Sequence, residues 1–147
     1  ALIVIERNVS MGDIVSASGV AVDAVISSQL LINIFEDKTP LHDGAVIIRD
    51  NRVAAASCIL PVTQSEIGQE LGTRHRAAVG ASEVSDAFII VVSEETGKIS
   101  IARDGKLEKA VSEAVFRQEL LNLCEKTAPA GAKAINKIWR GMSRHDK

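Results

Sequence analysis

Short aliphatic runs, separated by turn residues or by segments of helical spacing, limit most strongly the folds open to this chain. The runs lie at residues 1–6, 45–49, 53–59, 87–93 and 98–103. Runs of this length, rich in Val and Ile, are typical of buried β-strands. Asp50-Asn51 separates one neighbouring pair and Glu95-Thr96-Gly97 another, which predicts two hairpins. Hairpins alternating with helices predict an α/β fold with a mixed central β-sheet flanked by helices.

Apolar residues recur with helical spacing between and after these runs. Helices are predicted over residues 28–35 and 107–124, from about Thr73 onward, and over residues 133–142. Asp104-Gly105 is predicted to be the entry turn of the long helix. The break at Ala128-Pro129 then divides the chain into a main domain, residues 1–127, and a basic tail, residues 128–147.

Composition and charge exclude several classes of function. The 147 residues are 46% hydrophobic, enough for one globular domain with its own core. The aromatic fraction is 3%, without Tyr, and the net charge is −2, so neither base stacking nor a cationic surface points to nucleic acid. The charge is uneven, because residues 1–127 carry −6 and residues 128–147 carry +4.

No apolar run reaches the roughly 18 residues of a membrane span, so the chain as given is predicted to be cytoplasmic. Its first residue is Ala1 rather than Met, and a strand pattern begins there at once. We therefore expect a fragment of a longer protein, in which an upstream segment could form an anchor.

The densest polar cluster in the sequence is Gly72-Thr73-Arg74-His75-Arg76, at the predicted start of a helix. Free N–H groups and the helix dipole favour an anion there, and Arg adds donors that suit phosphate oxygens. A solvated first turn is about equally compatible with the pattern.

His42-Asp43-Gly44 precedes the apolar run at residues 45–49. Asp-Gly is a common turn dipeptide, and a turn alone accounts for it. A functional interpretation is that Gly44 lets a ligand approach the backbone while Asp43 offers a hard oxygen to a divalent cation. Glu94 and Glu95, after a later strand, could supply another carboxylate or belong only to a hairpin.

Taken together, these motifs resemble the diadenylate cyclase domain family, whose members make cyclic di-AMP from two ATP molecules. The resemblance runs from Ala1 to about Cys124 and rests on Asp43-Gly44-Ala45 and on Arg74-His75-Arg76 in their context. The sequence of residues 39–48, "TPLHDGAVII", is similar to that of the family branch in which the catalytic domain follows transmembrane helices. This implies a parent protein anchored at the cytoplasmic face of the cell membrane.

The resemblance also implies roles for individual residues. The implied metal ligands, for Mn²⁺ or Mg²⁺, are Asp43, Glu95 and, more weakly, His42. The implied catalytic residues are Asp43, Gly44, Ala45, Arg74, His75 and Arg76. The implied substrate-binding residues are Leu60, Gly72, Thr73, Arg74, His75, Arg76 and Ser93. Ile59 stands where this branch often has an aromatic residue, so apolar contact would replace ring stacking on adenine.

The implied reaction joins two ATP molecules with release of two pyrophosphates, so two domains must face each other in a homodimer. Two alternatives stay open on the sequence. One is a non-catalytic module that binds ATP or cyclic di-AMP, and the other is a metal-dependent nucleotide phosphohydrolase.

Overall fold

The computed structural model describes residues 1–125, which form an α/β domain. In chain order the elements are β1 (Leu2–Ile5), α1 (Gly12–Ser18), β2 (Val20–Val25), α2 (Ser28–Phe35), β3 (Ala45–Arg49), β4 (Arg52–Cys58), α3 (Thr73–Glu83), β5 (Phe88–Val92), β6 (Ile99–Arg103), β7 (Lys106–Val111) and α4 (Glu113–Glu125). The basic tail at 128–147, with its predicted helix, lies outside the described residues.

The strands form one mixed sheet in the order β2-β4-β3-β1-β5-β6-β7. β1 is parallel to β3, and every other neighbouring pair is antiparallel. The mixed sheet predicted from the sequence is thereby confirmed. Both predicted hairpins are also present, and Asp50 and Asn51 turn between β3 and β4 with φ of 50° and 67°, as a tight hairpin turn requires.

The three central strands, β3, β1 and β5, are almost fully buried, which explains their unbroken aliphatic sequence. Successive residues of β1 alternate between two cores. Ile3 and Ile5 pack with residues of α2 and α4, such as Phe116. Leu2 and Val4 pack on the other face, against the small residues of α3. Helices therefore cover both faces of the sheet.

The structure corrects the helix predicted over residues 107–124. Lys106–Val111 is strand β7, antiparallel to β6, and the helix begins only at Glu113. Asp104 and Gly105, at φ of 51° and 76°, turn between these two strands rather than into a helix. Leu107, Ala110 and Val111 fit helical spacing equally well, because the irregular β6–β7 register, with Ala110 at φ of 49°, disturbs strand alternation.

Helix α1 and strand β2 were not predicted. Neither contains a buried residue, so neither carries a strong apolar period, and β2 lies at an edge of the sheet. The predicted helix at 28–35 is confirmed, and the Ser27 hydroxyl caps it by accepting a hydrogen bond from the Leu30 N–H at 3.1 Å. Among residues 1–125, no helix has both the length and the apolar character needed to cross a membrane.

Candidate functional site

The strand register brings the sequence motifs to one end of the sheet. Ile3 pairs with Val46 across β1 and β3, so the same register continued outward brings Ala1 level with Gly44. On the other side, the Val92 N–H donates to the Ala1 carbonyl oxygen at 2.8 Å. The start of β3 and the end of β5 are therefore two strand spacings apart, about 10 Å. We call this the motif end of the sheet.

Two further segments reach the motif end. Ala45 pairs with Cys58, so the end of β4 and the residues that follow it lie beside the start of β3. The first turn of α3 joins them, because Arg74 contacts Glu94, which lies just beyond β5. The motifs that are separate in sequence are thus adjacent in the fold.

Gly44 is required by the backbone of the neighbouring strand. Its φ is +89°, and a Cβ atom placed on it would lie 2.8 Å from the Cys58 carbonyl oxygen and 2.9 Å from the Ser57 carbonyl carbon. We predicted that a ligand would approach the backbone at Gly44. On the side where a Cβ would lie, the backbone of β4 makes this close approach instead. Ala45 is buried at the start of β3.

Asp43 is exposed at the motif end, where the Gly44 turn fixes its backbone. Its Oδ1 accepts a hydrogen bond from the Gly44 N–H at 3.1 Å. The predicted turn is therefore present, and it holds the carboxylate in solvent at the start of a rigid strand. Such a group can take a metal ion or a hydroxyl proton without disturbing the core.

The first turn of α3 offers free backbone N–H groups. Gly72 is the N-cap residue, in extended conformation, and no side chain caps the helix. Gly72 and Thr73 are both exposed. Because the uncapped N–H groups and the helix dipole face solvent, this helix start can accept an anion.

Arg74 and Arg76 both lie in the first turns of α3, but their side chains make different contacts. The Arg74 Nη1 lies 2.5 Å from Oε1 of Glu94. The Arg76 Nη2 donates to the Gly68 carbonyl oxygen at 3.4 Å, and the Arg76 carbonyl oxygen accepts from the Thr63 N–H at 3.1 Å. Arg76 therefore ties the loop at 61–72 to the helix, a role that the sequence did not indicate.

His75 is partly buried beside Arg74. Burial lowers the pKa of His75 below its usual 6.5, and the positive charges of the Ala1 N-terminal ammonium and then of Lys109 on β7 lower it further. The imidazole is therefore neutral near pH 7, so the two arginines supply the fixed positive charge of this motif. Lys109 was missed in the sequence because the strand that presents it was predicted as a helix.

Leu60 and Ser93 both lie at the motif end, with different degrees of exposure. Leu60 is buried, whereas the preceding Ile59 is 74% exposed and presents the apolar surface. The Ser18 hydroxyl of α1 accepts a hydrogen bond from the Ile59 N–H at 2.8 Å and fixes that backbone. Ser93 stabilises the β5–β6 turn, because its N–H donates to the Lys98 carbonyl oxygen at 3.0 Å.

The predicted metal ligands do not form a three-residue cluster. Within residues 1–125, no group of three or more His, Cys, Asp or Glu side chains is placed to hold a metal ion. The donor chemistry nevertheless suits a divalent ion. The His42 Nδ1 lies 2.7 Å from the Thr39 carbonyl oxygen, a pure acceptor, so Nδ1 is the donor in this contact and Nε2 is the ring nitrogen that would act as a ligand.

Gly80 and Glu94 matter to this site in ways that the sequence did not predict. A Cβ on Gly80 would collide with the Pro61 carbonyl oxygen and lie 2.8 Å from the Thr63 nitrogen, so glycine lets α3 contact the chain that follows β4. The run of small residues around Gly80 was the available signal. Glu94 contacts Arg74 across 20 positions of sequence, for which no local signal exists.

Comparison with known proteins identifies the family of this chain. Residues 1–107 match the sequence model of the DAC family, described as DisA bacterial checkpoint controller nucleotide-binding. The chain is 49% identical over 142 residues to the cyclic di-AMP synthase CdaA of Bacillus subtilis strain 168, which covers 96% of this chain and 51% of that protein. It is 51% identical over 108 residues to the diadenylate cyclase CdaS of Bacillus thuringiensis strain BMB171, covering 73% of this chain and 53% of that protein.

A similar fold has been solved for DacA from Staphylococcus aureus, as a double mutant. The two structures superpose with a TM-score of 0.80 at 50% sequence identity, over 83% of this chain and 81% of that one. The chain spans about half the length of the curated relatives it matches. With the family model matched over most of its length, this chain belongs to the DAC family of nucleotide-binding domains.

Proposed function

We propose that this chain is the catalytic domain of a diadenylate cyclase, which condenses two ATP molecules into cyclic di-AMP and releases two pyrophosphates. The observation that carries the proposal is the meeting of Asp43, Arg74 and Ser93 at one end of the sheet, in a chain about half identical to curated cyclases. The domain itself is proposed to span residues 1–127.

Each half of the reaction is a nucleotidyl transfer. The 3′-hydroxyl of one ATP attacks the α-phosphorus of the other, the bond to the β-phosphate breaks, and pyrophosphate leaves. The exposed start of α3, Gly72 and Thr73, together with Arg74, binds the triphosphate and offsets charge on the departing pyrophosphate. His75, neutral near pH 7, contributes hydrogen bonding, and Arg76 holds the adjoining loop.

Asp43 is proposed to lie beside the attacking ribose hydroxyl and to orient it. Diadenylate cyclases are nucleotidyltransferases that generally need a divalent metal ion. When bound here, Mn²⁺ or Mg²⁺ would lower the pKa of the hydroxyl and neutralise phosphate charge. Asp43 would hold it, with either Glu95 or His42 as a second protein ligand. Such ions commonly take one or two protein ligands and complete their coordination with substrate phosphates, which agrees with the absence of a three-ligand cluster in residues 1–125.

The adenine is proposed to lie against the apolar surface beyond β4, near Ile59, with Leu60 supporting that surface from within. Ser93, just beyond β5 at the motif end, is proposed to contact the same nucleotide. Apolar contact with Ile59 takes the place of aromatic stacking, which agrees with the exposure of that side chain.

Catalysis is proposed to require a homodimer. One domain holds one ATP, while the product joins two nucleotides in a symmetric ring, so the motif ends of two domains must face each other across a two-fold axis. In the whole protein, an upstream anchor is proposed to place this domain at the cytoplasmic face of the membrane. A structural relative from Bacillus cereus is described as a hypothetical membrane-spanning protein.

The test is incubation with ATP and Mn²⁺ or Mg²⁺ at several protein concentrations, with products separated by chromatography. We expect cyclic di-AMP and pyrophosphate, formed at a rate per protein molecule that rises with protein concentration. ATP binding without turnover would support a sensor module instead. Release of ADP or AMP alone would support a phosphohydrolase.

A further inference from the structure

Arg74 carries a mostly buried guanidinium, and its ion-pair partner among residues 1–125 is the carboxylate of Glu94. The Arg74 side chain is 22% exposed, and its Nε is buried without a hydrogen-bond partner among residues 1–125. Nη1 lies 2.5 Å from Oε1 of Glu94. A guanidinium keeps its proton inside a protein, so a desolvated one needs an anion beside it.

The ion pair stabilises the charge of Arg74 more than that of Glu94, because the two side chains differ in their exposure to water. Glu94 is 63% exposed, so water solvates its carboxylate whether or not Arg74 is near. Arg74 has lost most of its water and lies in the first turn of α3, where the helix dipole disfavours a cation. Without Glu94, we expect its guanidinium to turn toward solvent and away from its present position.

We infer that Glu94 is a positioning residue, which holds the guanidinium of Arg74 at the motif end of the sheet in the orientation that a triphosphate meets. Glu94 contacts Nη1 and so leaves Nη2 to bind a phosphate oxygen. A side chain that is already ordered loses less conformational entropy on binding. The role in substrate binding rests on the proposed function, whereas the hold on Arg74 is independent of it.

The first experiment observes Arg74 directly, in the protein without nucleotide. The Nε–H resonance of Arg74 is assigned by ¹⁵N NMR from its loss in Arg74→Lys. We expect Glu94→Gln to shift and broaden this resonance, because the guanidinium becomes mobile. The matched control is Glu119→Gln, which removes the 2.8 Å contact of Glu119 with Arg103 far from the motif end and is expected to leave the Arg74 resonance unchanged. An unchanged resonance in Glu94→Gln would overturn the inference.

The second experiment measures binding of ATP and of adenosine by calorimetry. We expect Glu94→Gln to weaken ATP binding about tenfold, as for loss of a charge-assisted contact, and to leave adenosine binding unchanged. In an Arg74→Gln background, Glu94→Gln should have no further effect. Equal loss for both ligands, tighter ATP binding, or additive losses would contradict the inference. If the unmodified protein does not bind ATP, the proposed function fails, while the NMR result still decides whether Glu94 holds Arg74.

Discussion

Gly44 shows how a single residue serves both the fold and the site. Its positive φ forms the turn that presents Asp43, and its missing side chain admits the backbone of β4. The sequence predicted the turn from the Asp-Gly dipeptide. It could not predict the contact with β4, because the atoms that fill the Cβ position come from residues 57–58, and only the strand register brings them there.

Gly44→Ala should therefore cost more stability than an alanine at another glycine of positive φ. The matched control is Gly97, with φ of +71°, where an added Cβ would meet no atom of residues 1–125 within 4 Å. Gly97→Ala is expected to lose about 1–2 kcal/mol from backbone strain alone. Gly44→Ala is expected to lose about 1–3 kcal/mol more from the collision. Urea unfolding measures both, and equal losses would contradict the contact with β4.

His75 makes the stability of the domain depend on pH. Because its pKa is lower in the folded chain than the usual 6.5, the unfolded chain binds the proton more readily. The contribution of His75 to the unfolding free energy is therefore fully present above about pH 6.5, the pKa in the unfolded chain. It decreases as the pH falls from there through the lower pKa of the folded chain.

His75→Asn cannot titrate, so its stability should decrease less on acidification than that of the unmodified protein. Urea midpoints of both proteins, compared between about pH 7.5 and pH 5.5, test this. The control is His42→Asn, which removes a different histidine. Comparing the change in urea midpoint between the two pH values for both variants separates a specific effect of His75 from the loss of any histidine. A parallel pH dependence in the His75→Asn variant and the unmodified protein would contradict the predicted sign.

At the scale of elements, a close backbone contact with the chain that follows β4 holds helix α3 in position. Ala77, Ala78 and Ala81 are buried, and Gly80 lies against the backbone of residues 61–63. The Thr63 N–H bond to the Arg76 carbonyl oxygen fixes the same contact. The position of the first turn of α3, with its proposed phosphate-binding residues, therefore depends on small residues further along the helix.

Gly80→Ala should destabilise the domain by about 1–3 kcal/mol, because the added methyl collides with the Pro61 carbonyl oxygen. Intrinsic helix propensity alone would favour alanine by about 1 kcal/mol. The control is Gly12→Ala in α1, where the nearest atom is the rotatable Ser10 hydroxyl oxygen at 3.2 Å. We expect that change to be neutral or stabilising in thermal unfolding. A stabilised Gly80→Ala would show that α3 is not held so closely.

Uniform burial made the three central strands the plainest elements to predict from the sequence. β1, β3 and β5 are covered on both faces, so their aliphatic runs leave little choice of structure. β2 and β7 are edge strands with exposed residues, and their sequences carry no comparable pattern. The site followed the same division. Its motif residues were predicted, whereas the Arg74–Glu94 pair depends on tertiary contacts.

At the scale of the whole molecule, the proposed two-fold assembly makes a prediction about mixtures. In the proposed mechanism each of the two transfers uses one ribose hydroxyl and therefore one Asp43. A dimer of one unmodified chain and one Asp43→Asn chain should complete the first transfer and fail at ring closure. The linear dinucleotide, with its triphosphate intact, should then accumulate.

The measurement is product chromatography at a fixed amount of unmodified protein with increasing Asp43→Asn protein. The Asp43→Asn chain alone should be folded and inactive. A control titration with Glu119→Gln, whose ion pair lies between β6 and α4, should yield only cyclic product. Cyclic product that declines without any linear intermediate would contradict one Asp43 per transfer.

The order of the sheet also bears on how the protein is synthesised. Among the strands of this sheet β1 is translated before the others, yet its neighbours are β3 and β5, and β5 ends only at Val92. The central strand must therefore wait, unpaired on one side, until most of the domain has been translated. A nascent chain that stops before β5 lacks one of the two neighbours of its central strand, so we expect premature termination to leave an unfolded product.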